Sequence, residues 1–162
     1  MQITLADLDD SRVVALLETH LRTARAHTGE GSAHALDLSG LRAPDIRLWA
    51  AWEGEALLGV CALRRLSAEE GEVKSMHTAE QQRRGGIGGA LLRHIVATAR
   101  AEGLRRLSLE TGSWAYFQPA VALYARHGFV PCGPFGDYRS DPNSIFMTLD
   151  LSAGGPLDRA GG

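Results

Sequence analysis

One lysine against 16 arginines, two cysteines and a net charge of −2 at neutral pH are the scarcities of this 162-residue chain. Each excludes a class of function. Cys61 and Cys132 stand far apart, without the short spacing of a zinc or thiol-redox site, so both are expected to be buried thiols of a reducing compartment. So small a net charge provides no electrostatic footprint for nucleic acid or for an anionic membrane. No apolar run reaches the roughly 18 residues of a membrane span. The opening residues Met-Gln-Ile-Thr-Leu-Ala-Asp lack the charged and apolar regions of a signal peptide, so a cytoplasmic location is expected. Neither a Ser-His-Asp order nor metal-ligand spacing is present, and no metal is expected. The six histidines are scattered, and the seven-residue spacing of His20, His27 and His34 is read as coincidence.

What is abundant is glycine at one place. Residues 82–92 read Gln-Arg-Arg-Gly-Gly-Ile-Gly-Gly-Ala-Leu-Leu, between an expected strand at Glu72–Thr78 and an amphipathic helix running to about Ala101. Glycine at a helix start costs backbone entropy. In return the first helical N–H groups, which have no intrahelical partner, point outward uncovered by side chains. Such a terminus accepts an anionic group, and Arg83 and Arg84 add positive charge beside it. The segment reads as a pyrophosphate cradle. It is not a Walker A loop, because no Lys and Ser/Thr follow at that spacing. A dinucleotide fingerprint begun at Gly86 and Gly88 puts Leu91 at the third small position. Glu110, 22 residues after Gly88, would suit a ribose, but the chain has no room for repeated strand-helix units.

The rest of the chain alternates short elements in one domain over 1–151, with 152–162 expected to be a flexible tail. Ile3–Leu5 is a strand, and Asp9 or Asp10 caps a helix to about Ala26. A short helix is expected near Leu36–Leu41. Apolar runs at Ile46–Trp52 and Ala56–Leu66 are joined by Glu53-Gly54-Glu55, a hairpin signature. Gly71–Thr78 follows as a third strand before the cradle. The helix over 86–101 turns Ile87, Leu91, Leu92, Ile95, Val96 and Ala99 inward. In the strand Leu104–Glu110, Leu107 and Leu109 share one face while Ser108 and Glu110 share the other. A helix starts near Pro119 and stops at Gly128, and Phe129–Pro131 and Ser144–Leu151 complete the order.

Arg83-x-x-Gly86-x-Gly88 resembles motif A of the GNAT superfamily of acetyl-CoA-dependent N-acetyltransferases. The order of elements resembles the topology of that family over about residues 2–151. Ala120 through Phe129 also match its A-x-x-L-Y-x-x-x-G-F segment. Lys74–Thr78, Leu109–Gly112 and Pro134–Tyr138 look like a mostly uncharacterised bacterial subgroup. The resemblance implies an α/β (α+β) fold, a central mixed, mostly antiparallel sheet of about six to seven strands flanked by about four helices.

It also implies roles. Met76, His77 and Thr78 are expected to meet the pantetheine arm of acetyl-CoA through their backbone. Arg83, Arg84, Gly85, Gly86, Ile87, Gly88 and Gly89 are expected to hold its pyrophosphate. Phe117 stands seven residues before Tyr124, where many members carry Asn, which leaves open a cofactor contact that Asn often supplies. Tyr124 matches the tyrosine near the sulfur and is the candidate general acid, since a phenol suits protonation of a thiolate; helical spacing alone makes it a core aromatic. Glu110 is the candidate base, with a salt bridge to an arginine as its alternative; Glu72 and His77 are further candidates. Lys74, the lone lysine, either meets a substrate carboxylate or forms an ion pair at the surface or strand end. Asp137 and Tyr138 lie in the loop before the last strand and are candidate substrate contacts, although a plain loop uses the same residue types.

The expected activity is direct transfer of an acetyl group from acetyl-CoA to a primary amine of a small metabolite, without an acyl-enzyme. The alternatives are a protein N-terminal or lysine acetyltransferase and a CoA-binding regulatory module without turnover. A homodimer is compatible with the fold.

Overall fold

The computed structural model describes residues 1–28, 34–79 and 85–152. Arg83 and Arg84, like the tail beyond 152, lie outside the described residues. Strand β1 (Gln2–Leu5) leads to helix α1 (Ser11–Ala26), whose N-cap is Asp10: its carboxylate accepts from the Arg12 backbone N–H at 2.9 Å. A four-residue helix α2 (Leu38–Leu41) is capped in the same way by Asp37. Strands β2 (Ile46–Glu53), β3 (Ala56–Arg65) and β4 (Glu70–Thr78) form an antiparallel meander. Then come α3 (Ile87–Ala101), β5 (Arg106–Gly112), α4 (Gln118–Arg126), β6 (Val130–Cys132) and β7 (Ser144–Asp150). The seven-stranded sheet has the order β1-β2-β3-β4-β5-β7-β6. Among the described residues only β4 and β5 pair in parallel, as α3 crosses over between them.

Period-two alternation divides the sheet between two apolar layers. Leu48, Ala50, Val60 and Ala62 pack with Val13 and Leu17 of α1 and Leu41 of α2. Trp49, Ala51, Cys61 and Leu63 face the other way, onto α3 and Tyr124 of α4. The six α3 residues expected inward are all buried, and so are Leu107 and Leu109. Such two-sided covering is what makes a mixed sheet stable, since each large apolar side chain contributes about 1.5–3 kcal/mol on burial.

The meander carries one irregularity that shapes everything after it. Val60 pairs with His77 and Ala62 with Lys74, so Ser75 and Met76 together oppose the single residue Cys61. Ser75 has φ 54°, the one non-glycine residue with positive φ among the described residues. A bulge of this kind bends its strand. The parallel ladder with β5 accordingly ends at the pair Val73 and Leu109, whereas β5 stays paired with β7 as far as Gly112 and Ser144. Beyond Val73 and Leu109 the two central strands separate.

Candidate active site

A cavity of about 530 Å³ occupies the gap between the separated strands and passes from one face of the sheet to the other. Its walls are residues Val73 to Thr78 of β4 and Glu110 to Gly112 of β5. On the α1 side it is closed by His20, Thr23, Ala24, Thr28 and His34. On the α3 and α4 side it meets Gly86, Ile87, Gly88, Gly89, Phe117, Leu123 and Tyr124. The size suits a small-molecule site.

The glycine run behaves as its chemistry requires. Gly86 is the N-cap of α3 with φ 81°, a left-handed conformation that most side chains avoid, and no side chain of the described residues caps the helix. The N–H groups of the first turn are therefore left without a side-chain acceptor at the cavity wall. A Cβ on Gly88 would stand 3.0 Å from Leu123. The bare backbone here is space that a ligand phosphate can use. Gly85 is described as exposed, just before the cavity wall. Met76, His77 and Thr78 all line the cavity on its β4 side.

Tyr124 is both a core residue and a cavity residue. It is 6% exposed, and its ring meets Phe129 edge-on with centroids 5.9 Å apart. Burial raises the phenol above its usual range, with Cys61 and Glu110 adding to the effect, so the hydroxyl keeps its proton. Glu110 forms no ion pair with an arginine among the described residues; its Oε2 accepts from the Ser144 hydroxyl at 2.8 Å. Burial is the main cause that raises its pKa, while the Ser144 hydrogen bond, His34 and Lys74 oppose the rise and Glu72 reinforces it.

Lys74 forms an ion pair, but neither at the surface nor at a strand end. Its Nζ lies 3.2 Å from Glu72 Oε2, and the side chains are 7% and 2% exposed. Tyr138 closes the pair: its hydroxyl donates to Glu72 Oε2 at 2.5 Å and accepts from Lys74 Nζ at 3.0 Å. Its ring packs against Phe135, Phe146 and His34. Lys74 reaches the cavity wall, whereas Asp137 and Tyr138 are not part of it and Asp137 is exposed. Glu72, a further candidate base beside His77, has its Oε2 engaged by both Lys74 and Tyr138.

The cavity wall also holds His20 and His34, to which the sequence reading gave no role. His20 and His27 lie two turns apart on one side of α1, and the spacing taken as coincidence has a structural counterpart. His20 Nδ1 is 3.1 Å from His77 Nδ1. His27 stacks on Tyr116, with centroids 4.0 Å apart and planes 3° from parallel. His34 joins the wall from the segment before α2. Phe117 lies directly on the backbone of Gly112, where an added Cβ would stand 2.2 Å from the ring. A side chain at 112 is thus excluded by Phe117, the residue that departs from the family pattern. Among the described residues no group of three or more His, Cys, Asp and Glu is placed to hold a metal ion. No helix of the described residues is long and apolar enough to cross a membrane.

A model described as the acetyltransferase (GNAT) family matches residues 11–129. The N-acetyltransferase YsnE of Bacillus subtilis, itself uncharacterised, is 46% identical over 151 residues, covering 93% of this chain and all of that protein. An IAA acetyltransferase of Azospirillum brasilense is 44% identical over 122 residues, 74% of this chain and 78% of its own. The fold is shared with a GNAT family acetyltransferase of Elizabethkingia anophelis solved with acetyl-CoA bound. That likeness has a TM-score of 0.67 at 19% identity and covers 93% of this chain and 97% of the other. With the parted central strands, the uncapped glycine start of α3 and the buried tyrosine of α4 already in place, these matches carry one conclusion: the chain is an acetyltransferase and belongs to the GNAT family.

Proposed function

We propose that the protein transfers the acetyl group of acetyl-CoA to a primary amine of a small metabolite, by direct attack in a ternary complex. The observation that carries this reading is the cavity through the sheet. It has an anion-accepting helix start and Tyr124 on one side, and Glu110 with a wall of α1 residues on the other. The acetyl-CoA bound to the Elizabethkingia protein supports the same donor here.

The residues fit such a donor. The backbone N–H groups at Ile87, Gly88 and Gly89 would hold its pyrophosphate, and Arg83 and Arg84 would add charge. The stretch of β4 beyond the end of its ladder with β5, at Met76, His77 and Thr78, would carry the pantetheine arm. When bound, acetyl-CoA supplies an activated acyl carbon and a thiolate leaving group. A backbone N–H of β4 beyond the bulge would stabilise the charge that develops on the acyl oxygen, a contribution that is commonly the largest. Glu110 attracts an ammonium group as a carboxylate. Its raised pKa brings it nearer the range in which it takes the proton of that group. Tyr124, kept protonated by burial, donates to the departing sulfur. Cys61 does not offer itself as the nucleophile of an acyl-enzyme: it is fully buried and burial pushes its thiol pKa up.

The form of the cavity supports a metabolite rather than a protein acceptor. The His27–Tyr116 stack joins the end of α1 to the turn before α4 beside the opening, which favours a small amine over a threaded peptide. Initial rates of CoA release with both substrates varied test the reaction. Intersecting patterns with tyramine, spermidine or free amino acids support a ternary complex with a small amine. Parallel patterns, or turnover only with lysine-bearing peptides, overturn it. Calorimetry with acetyl-CoA and Gly89→Glu tests the cradle; there an added side chain first meets only the flexible end of Arg93, at 3.1 Å.

A further inference from the structure

Acetylation of an ammonium releases two protons from nitrogen, one before attack and one after the new bond has formed. One returns to the sulfur and the other leaves for water. Glu110 accounts for the first. We propose that His20 takes the second, with His77 as the positioning residue that holds His20 in the tautomer it needs.

The proposal rests on the acetyl-transfer reading and on one contact. His20 and His77 both line the cavity, His20 from α1 and His77 from β4, and their Nδ1 atoms are 3.1 Å apart. The rings meet edge-on, with centroids 4.9 Å apart. Two Nδ1 atoms at this distance share one hydrogen, so the rings cannot both be protonated there. In the uncharged pair one ring donates from Nδ1 and its Nε2 keeps a lone pair. The other ring carries its proton on Nε2. With His20 as the donor, Nε2 of His20 is a base on the α1 side of the cavity, and His77 Nδ1 fixes it in that state.

The electrostatics favour a late role. Burial of His20, with the charges of His77 and Lys74, lowers its pKa to about 4, so the resting ring is uncharged and does not repel an incoming ammonium. So weak a base takes no proton from a free ammonium. It suits the nitrogen after attack, because an ammonium bonded to the acyl carbon is far more acidic than the free amine. Lys74 from β4, Glu110 from β5 and His34 are the other titratable groups on this stretch of wall. Only Glu110 among them is anionic, and it serves the first, less acidic proton.

The balance is complete. Glu110 takes a proton from the ammonium, and nitrogen attacks the acyl carbon. Nε2 of His20 takes a proton from the now positive nitrogen while its Nδ1–H stays on His77. The carbonyl re-forms, the C–S bond breaks, and Tyr124 protonates the sulfur. One of the two collected protons restores Tyr124 and the other leaves as the net product.

Two measurements decide the matter. Long-range proton–nitrogen correlation spectra of the wild-type imidazoles, taken without substrate, should show His20 protonated at Nδ1 and His77 at Nε2. Two Nε2–H tautomers would overturn the proposal. In CoA-release assays with tyramine, spermidine and free amino acids, His20→Phe should lower kcat by roughly 100-fold with the acetyl-CoA KM unchanged. His77→Leu should lower kcat less. His77→Gln, whose amide oxygen still accepts from His20, should recover most of it, which a purely structural role would not produce. Unchanged kcat in His20→Phe overturns the proposal and leaves acetyl transfer standing. A wild type that releases no CoA with any acceptor overturns acetyl transfer and the proposal together.

Discussion

Removing a single oxygen, in Tyr138→Phe, should cost the protein much of its margin of stability. The hydroxyl donates to Glu72 Oε2 at 2.5 Å and accepts from Lys74 Nζ at 3.0 Å, so two hydrogen bonds to charged groups vanish. Each such bond is worth about 1.5–3 kcal/mol. Glu72 and Lys74 keep each other at 3.2 Å, which holds the loss below the sum of the two bonds, at about 2–3 kcal/mol. Phenylalanine preserves the ring contacts to Phe135, Phe146 and His34, so packing does not confuse the comparison. For a chain of this size that loss lowers Tm by about 4–12 °C. Urea denaturation should show the same change in free energy at constant slope. Lys74→Met, which leaves the buried Glu72 carboxylate without its cation, should cost more, about 3–5 kcal/mol. In the Lys74→Met background the effect of Tyr138→Phe should differ from its wild-type value by about 1 kcal/mol or more, because the two share partners. A Tyr138→Phe protein within about 0.5 kcal/mol of wild type, a value typical of neutral surface changes, would refute the account of this cluster.

Glu110→Gln should reduce turnover and yet stabilise the protein at neutral pH. The wild-type carboxyl has a folded pKa raised above 4.5, so its favourable contribution is complete below 4.5 and is lost as pH rises through the folded value. Denaturation curves of the two proteins should therefore converge below that pH and separate above it. His20 has the opposite sign. Its pKa falls from 6.5 unfolded to about 4 folded, so stability present above 6.5 is lost as pH falls toward 4, by about 3 kcal/mol in all. His20→Phe should flatten that part of the pH–stability curve. Cys61 is fully buried, whereas Cys132 is partly exposed. A thiol reagent should consume one equivalent in the native state and two in urea. Gly112→Ala should displace Phe117 and widen the cavity wall, and gel filtration with near-ultraviolet circular dichroism would show whether the fold survives.

Much of the fold was readable because local signals agree with the tertiary structure. The stripe from Ile87 to Ala99, the Asp10 cap and the turn at Gly54 each report a period or a backbone need that the chain satisfies locally. The glycine start of α3 was readable for the same reason, since glycine at a helix start has few other uses. The opposite wall was less readable. Nothing next to Lys74 in sequence announces Tyr138, 64 residues away, so the buried ion pair could not be told from a surface one. His20 and His77 are 57 residues apart, and only the sheet brings them together. The bulge at Ser75 left no trace, because serine at positive φ is the exception that tertiary pairing enforces.

That bulge also bears on how the chain is made. β4 is complete at Thr78, but its parallel partner begins at Arg106, so during synthesis the meander presents an open edge until the crossover has emerged. Unpaired edges recruit other chains, and a slow parallel partner prolongs the exposure. Glu70, Glu72 and Lys74 place charges along this edge, and the kink at Ser75 breaks its straightness; both are devices that discourage intermolecular strand addition. The strand that lines the cavity in the finished molecule is, in the nascent one, guarded against aggregation by the same residues.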